Sequence, residues 1–500
     1  MNTELQGTAA PSGFQAEWWT PRLAGPVIAA AVVRLTLLAV VLARHGADAL
    51  NQDDTFSYLE PGRNLLLHGR FFADGVPDLL RTPGYPLFLA VTSLGGLSVA
   101  AVANVLLSVF SVILVWRLGR TVSGDSRVAL GAAWIFAFEP VSITFSVFLL
   151  SETLFLTLFL LSLERLTAFL DGGRLPVLAA AGVWLAAATF VRPVTYYLPV
   201  ALALGLFFVL ARVPRLRWKA PAVLLISVLP WLAAWQMRNW METGYQGFTS
   251  VTDINLYYFC AAKVTAEVQH RNYFDLRREL GYDGGRGYGQ QAYLYQPYLA
   301  LHPEQATWNQ AQRLAFIHSE ATGIIRQHSK IYLRICLKSL FTFLTDLGTG
   351  NINSLLNPDD QRRLVAVVNE GLDPSGSALS NANPAVVAEK AVLAIVLLGL
   401  YFLAAWGGFR GGIKHMYLSL LLGVSMYFLV LSSAAGGGRF AFSSAGDACC
   451  LHSCLRGSVL SSEGKSTAGM KALVKERTPG RRSLCDGPDS TIARAAAAIG

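Results

Sequence analysis

Charge is scarce in this chain. Of its 500 residues only 15% are Asp, Glu, Lys or Arg, while 53% are hydrophobic. Soluble domains carry roughly 25% charged residues, so a chain this poor in charge cannot coat itself with polar side chains. That excludes an ordinary soluble globule and points to a polytopic membrane protein. The charge present sums to +9, which fits Lys and Arg held on the cytoplasmic side of a bilayer; we expect no nucleic-acid partner. Cysteine is equally sparse. Of the six residues, Cys449, Cys450, Cys454 and Cys485 fall near the end, and with Cys260 and Cys336 they form no paired spacing of the zinc type. There is no HExxH, no Walker loop, no GxGxxG after a strand and no nucleophile elbow, which argues against metalloprotease, nucleotide-driven and serine-hydrolase chemistry. The N-terminus lacks a basic n-region and a cleavage site, so the first apolar stretch is expected to be a retained span.

What the chain does have is long apolar runs. They lie at about Gly25–Ala43, Leu87–Val115, Val128–Leu149, Thr153–Leu170, Leu175–Phe190, Val194–Leu210, Ala220–Trp235, Ala391–Trp406 and Met416–Leu431. Each approaches the ~20 residues needed to cross ~30 Å of hydrocarbon, Leu175–Phe190 being marginal. Arg34 interrupts the first, and is expected to snorkel or to face the bundle. Basic residues cluster at every second turn: Arg117/Arg120/Arg127, Arg165/Arg174, Arg212/Arg215/Arg217/Lys219 and Arg410/Lys414. The positive-inside rule puts those turns in the cytoplasm. Alternate crossings then gather Asn51–Pro86, Ser151-Glu152, Arg192-Pro193, Arg238–Glu389 and Gly436–Phe440 on the opposite face. The segment Arg238–Glu389 is too long for a connector. Its stretch from Thr307 to Phe343 is amphipathic, with Arg334 and Lys338 one turn apart, which predicts a helix lying in the interface.

The polar loop Asn51–Pro86 stands out between apolar neighbours. Asp53 and Asp54 offer a general base, a cation site or a helix cap near Thr55. Adjacent residues point apart, and Asp54 shares a helical face with Tyr58. Pro61 and Gly62 are expected to weaken that helix after its first turn. Arg81 sits in RTPGYP, where Pro83 and Pro86 stiffen the backbone; a fixed guanidinium there suits a phosphate, a carboxylate or a lipid headgroup. Ser151-Glu152 reads as a cap and first-turn acid. Arg192, Arg238 and Arg439 lie at span ends on the same face. His68, His302, His318 and His328 read as surface residues.

These motifs occur in a particular order. DDTFSYLEPGRNLLLHGRF, RTPGYPLFLA, Pro140 with Ser151-Glu152-Thr153-Leu154-Phe155, VRPVTYYLP, PWLAAWQMRNW and GGRF follow one another over about Gly25 to Phe440. In this the chain resembles the GT-C membrane glycosyltransferases of the protein O-mannosyltransferase and lipid A aminoarabinose transferase type. The resemblance implies an all-α polytopic membrane protein with a GT-C-type transmembrane helix bundle and an external, periplasmic loop region, in a bacterial inner membrane. It implies a polyprenyl-phosphate sugar as donor and a glycan, lipid or protein as acceptor. It maps the family's loop acid onto Asp54, with Asp53 beside it, and the donor-phosphate residue onto Arg81. Arg238 and Arg439 are weaker carry-overs for the same phosphate, with Tyr58, Tyr85, Glu152 and Arg192 expected to line the site. No cofactor is assigned, and a divalent cation is left open. Thr82 stands where the family usually has proline, and Pro61-Gly62 is expected to loosen the loop helix.

The expected organisation is a cytoplasmic segment 1–24, a bundle 25–237 carrying the catalytic loop 45–86, an external segment 238–389, C-terminal spans 390–440, and a tail 441–500. That tail has no membrane period, many small residues and clustered cysteine. It reads as disordered, or as a natural continuation replaced through a frame shift. Two other readings stand beside the enzyme: a secondary transporter, and an inactive or truncated scaffold of the same fold.

Overall fold

The computed structural model describes residues 19–282, 299–345 and 415–434, all within one compact unit, Met1–Cys454. The expected span Ala391–Trp406, Arg439 and the tail 441–500 lie outside the described residues. Among those described the chain is helical except for one two-residue hairpin. The elements are α1 (Ala24–His45), α2 (Asp53–His68), the strands β1 (Phe72–Ala73) and β2 (Val76–Pro77), α3 (Gly84–Thr92), α4 (Leu97–Ser123), α5 (Ser126–Ala137), α6 (Pro140–Val147), α7 (Glu152–Leu170), α8 (Leu175–Val191), α9 (Leu198–Val209) and α10 (Pro214–Thr243). Beyond them come α11 (Val251–Asn255), a π turn (Leu256–Ala261), α12 (Ala262–Gln269), α13 (Tyr273–Glu279), α14 (Gln310–Gln327), α15 (Ser329–Thr345) and α16 (His415–Ala434).

Among the described residues four helices are long and apolar enough to cross a membrane: Pro21–His45, Leu97–Ser123, Glu152–Leu170 and Pro214–Thr243. The pair α5–α6, bent by 53°, makes a fifth as a broken span. Shorter apolar helices stand at Gly84–Gly95, Leu175–Val191, Pro193–Val209 and Ser419–Leu431. Large apolar side chains such as Ile28, Leu106, Phe208 and Ile226 are exposed on these helices. Water would disfavour them there at ~25 cal/mol per Å² of apolar surface, whereas lipid does not. The fold is that of an all-helical, multi-pass membrane protein.

Two expected spans are broken, and each break has a local cause. Leu87–Val115 divides at Ser93–Gly96, where Gly96 adopts φ +98. Val128–Leu149 divides at Phe138–Glu139, where Pro140 starts α6 and the Glu139 carboxylate accepts the Val141 and Ser142 N–H groups. A broken helix leaves carbonyls without intrahelical donors. Arg34 meets them. It is fully buried and donates to the carbonyls of Ala137 (2.8 Å) and Phe136 (3.4 Å) and to the hydroxyls of Ser108 and Ser142 (both 2.8 Å). Of the two expectations for Arg34, snorkelling is therefore replaced by facing the bundle, where it stitches α1 to α4, α5 and α6.

The main apolar core joins α1, α3, α4 and α6–α10, with Val424 and Leu431 of α16 against it. Within it, Arg117 of α4 and Glu164 of α7 form a buried ion pair at 2.6 Å. A second apolar cluster is built from Leu79, Leu80, Ile254, the π turn and the α14 residues Leu314, Ile317, Ala321 and Ile325. The amphipathic stretch expected from Thr307 forms two helices, α14 and α15. Arg334 on the second is exposed and pairs with Glu267 at 2.8 Å.

Candidate functional site

The loop that stood out in the sequence folds as α2, a hairpin and a turn leading into α3. Gln52 precedes α2, and the Thr55 hydroxyl accepts the Gln52 N–H (2.9 Å) while donating to the Leu149 carbonyl (3.0 Å). Capping is thus done by Gln52 and Thr55, and Asp54 stands in the first turn, where the helix dipole favours a carboxylate. The Asp53 side chain lies outside the described residues. The helix does not weaken at Pro61-Gly62; it runs on to His68 and stops at Gly69 in the left-handed conformation. The reason is tertiary. A Cβ on Gly62 would collide with the Pro86 carbonyl, so glycine is what lets α2 lie tightly on α3.

That packing brings Asp54 and Arg81 together. Arg81 donates from Nη2 to Asp54 Oδ1 (2.6 Å), from Nε to Ser57 Oγ (2.9 Å) and from Nη1 to the Tyr58 hydroxyl (3.2 Å), with its guanidinium 4.4 Å from the Tyr58 ring centroid. The pair is only partly shielded, the side chains being 14% exposed for Arg81 and 33% for Asp54. Beneath it the contacts go inward. The Tyr58 hydroxyl lies 3.5 Å from Ser151 Oγ, Arg192 Nη1 donates to Ser151 Oγ (3.0 Å), and Arg192 pairs with Glu152 (2.8 Å). Tyr58, Ser151, Glu152 and Arg192 are all buried, and burial holds the Tyr58 phenol above its ordinary pKa. Tyr85 is fully buried edge-on to Tyr58, with centroids 4.9 Å apart. Asp54, Tyr58, Arg81, Tyr85, Glu152 and Arg192 therefore converge at one place.

Arg238 does not join them. Its Nη2 donates to the Phe71 carbonyl (2.6 Å) and its Nη1 to the Asp78 carbonyl (2.9 Å) and to Asn239 Oδ1 (3.1 Å). The residue expected beside the donor phosphate instead braces the hairpin that precedes Arg81. Arg439 lies outside the described residues.

Three further residues shape the site without having been picked out from the sequence. Ser57 stands three positions after Asp54, a spacing that could have flagged it. Asp78 follows Pro77 as a turn-forming aspartate; its Oδ1 accepts the N–H groups of Leu80 (2.7 Å) and Arg81 (3.2 Å), and burial pushes its carboxyl up to about 7. Thr249 had no signal at all, because its partner, the Leu80 carbonyl (2.6 Å), is 169 positions away.

Chemically, a guanidinium paired with a partly exposed carboxylate, a hydroxyl and a phenol can bind an anion and accept a proton. Among the described residues no group of three or more His, Cys, Asp or Glu side chains could hold a metal ion. No protein-family model matches this chain, and neither a curated protein nor a solved structure matches it.

Proposed function

We propose that this protein is an inverting glycosyltransferase that takes a sugar from a polyprenyl-phosphate donor at the periplasmic face of a bacterial inner membrane, within a GT-C-type bundle. The reading rests on one observation above the others: the partly exposed Asp54–Arg81 pair, bordered by Ser57 and Tyr58, stands beside a largely apolar helix bundle. A donor whose tail is apolar and whose head is a phosphodiester needs that combination. Arg81 binds the phosphate and stabilises the charge that grows on it as the glycosidic C–O bond breaks. Asp54 takes the proton from the acceptor hydroxyl or amine. The acceptor heteroatom bonds to the anomeric carbon from the face opposite the departing polyprenyl phosphate, and the configuration inverts. The energy is carried by the lipid phosphodiester, so no nucleotide enters.

The reading of a secondary transporter draws support from the bent pair α5–α6 and from Arg34 of α1, buried against it, since interrupted helices and buried ions suit solute pathways. Arg34, however, directs its donors to carbonyls and hydroxyls of the bundle itself. An inactive scaffold of the same fold would bind no donor. The experiment is sugar transfer from a polyprenyl-phosphate sugar in membranes containing the wild type, Asp54→Asn or Arg81→Ala. Loss in both variants is expected. Near-normal transfer in both overturns the mechanism, and solute uptake into liposomes without transfer would favour the transporter.

A further inference from the structure

We propose that Asp78 and Thr249 are positioning residues that set Arg81 in register with Asp54, an inference that rests on the reading of Arg81 as the phosphate ligand. Arg81 is carried by a turn, Asp78–Thr82, that belongs to no helix. Every peptide leading into it is held. The Asp78 N–H donates to the Phe71 carbonyl (3.1 Å), and the Asp78 carbonyl accepts from Arg238 (2.9 Å). The Leu79 carbonyl accepts the Ser250 N–H (2.8 Å). Asp78 Oδ1 gathers the Leu80 and Arg81 N–H groups, and the Thr249 hydroxyl donates to the Leu80 carbonyl (2.6 Å). The side chains of Leu79 and Leu80 are buried in the second apolar cluster, against Ile254, Ile317 and Ala321.

The turn is therefore fastened to the segment after α10, whereas Asp54 rides on α2. α2 is itself tied to the hairpin before the turn and packed on α3 after it, so the distance across the ion pair depends on that packing and on how the turn is fastened to the segment after α10. Asp78 is fully and Thr249 almost fully buried; both hold the backbone of the turn that carries Arg81, and the Asp78 carboxylate also feels the Arg81 charge. A guanidinium displaced by about 1 Å loses much of what exact placement gives an anion site.

The test uses the full chain in lipid nanodiscs and two readouts. The first is binding of a short-chain polyprenyl phosphate. Thr249→Val should weaken it roughly five-fold, the equivalent of one net hydrogen bond, and Thr249→Ser should restore it. Asp78→Ala should weaken it similarly, and Asp78→Asn, which keeps the accepting oxygen, should not. In the Arg81→Ala background Thr249→Val should cost nothing further; an additive loss would mean a purely structural role and would overturn the proposal. The second readout needs no ligand: solvent exchange of the Arg81 Nε–H in arginine-labelled protein, identified by its disappearance in Arg81→Ala. Slow exchange in the wild type and Thr249→Ser, and fast exchange in Thr249→Val and Asp78→Ala, support the positioning role. Equal exchange in all four overturns it. A wild type that binds no polyprenyl phosphate would sink the glycosyltransferase reading, and the exchange measurement would still decide this one.

Discussion

The two arginine–carboxylate pairs of the site should answer mutation in opposite ways. Arg192 and Glu152 are 5% and 8% exposed and 2.8 Å apart. Removing one partner of a buried pair leaves the other charge without compensation, at a cost of about 3–5 kcal/mol. Arg81 and Asp54 approach to 2.6 Å but stay in touch with solvent at 14% and 33%. The pair is partly solvated, so Arg81→Ala should cost less stability than the loss of a fully buried partner while abolishing transfer. Arg192→Ala should lower stability by several-fold more, and its loss of transfer should follow from the lost fold. The assay is reversible unfolding in mixed detergent micelles, run beside the transfer assay on the same preparations. Equal destabilisation by both variants, or a loss below about 1 kcal/mol for Arg192→Ala, would refute the assignment of one pair to structure and the other to chemistry.

Other outcomes follow from the same geometry. Asp54 occupies Arg81 in the unliganded protein, so Asp54→Asn should tighten polyprenyl-phosphate binding by up to about five-fold even as it abolishes transfer; isothermal titration would reveal weaker binding if this is wrong. Burial raises the Asp78 carboxyl to about 7, so its contribution to stability is complete below the ordinary carboxylate pKa near 4 and is lost as pH rises towards 7, at up to about 1.4 kcal/mol per pH unit. Asp78→Asn should flatten that slope in unfolding curves taken between pH 4 and 8, and an unchanged slope would place the titrating group elsewhere. A Cβ on Gly84 would sit 2.6 Å from the Phe190 carbonyl and 2.9 Å from Val191 Cγ2. Gly84→Ala should therefore cost about 1–3 kcal/mol and reduce transfer by moving the turn that bears Arg81; full activity with full stability would contradict the packing.

The sequence by itself determined the solvent. A chain with 15% charge and apolar runs of membrane length can only be satisfied by helices in lipid, and helices duly cover Gly25–Ala43, Thr153–Leu170, Leu175–Phe190 and Ala220–Trp235, and most of Val194–Leu210. Charge parity between those runs gives the expectation that Asp54, Arg81, Ser151, Glu152 and Arg192 share one face of the membrane; in the fold these residues meet. Tertiary structure alone decided where spans break and which partners each arginine meets. A run that is apolar throughout carries no periodic signal of a break, so the divisions at Ser93–Gly96 and Phe138–Glu139 could not be seen in it. Arg34, Arg192 and Arg238 look alike as isolated span-end or mid-span cations. Arg81 also meets a carboxylate and two hydroxyls, from 23 to 27 positions away; what separates the others is which distant segment supplies their partners, and hydrogen bonds across 41 to 167 positions leave no trace in local sequence. Pro61-Gly62 makes the same point: poor for a helix in isolation, it is required where α2 must lie within backbone contact of α3.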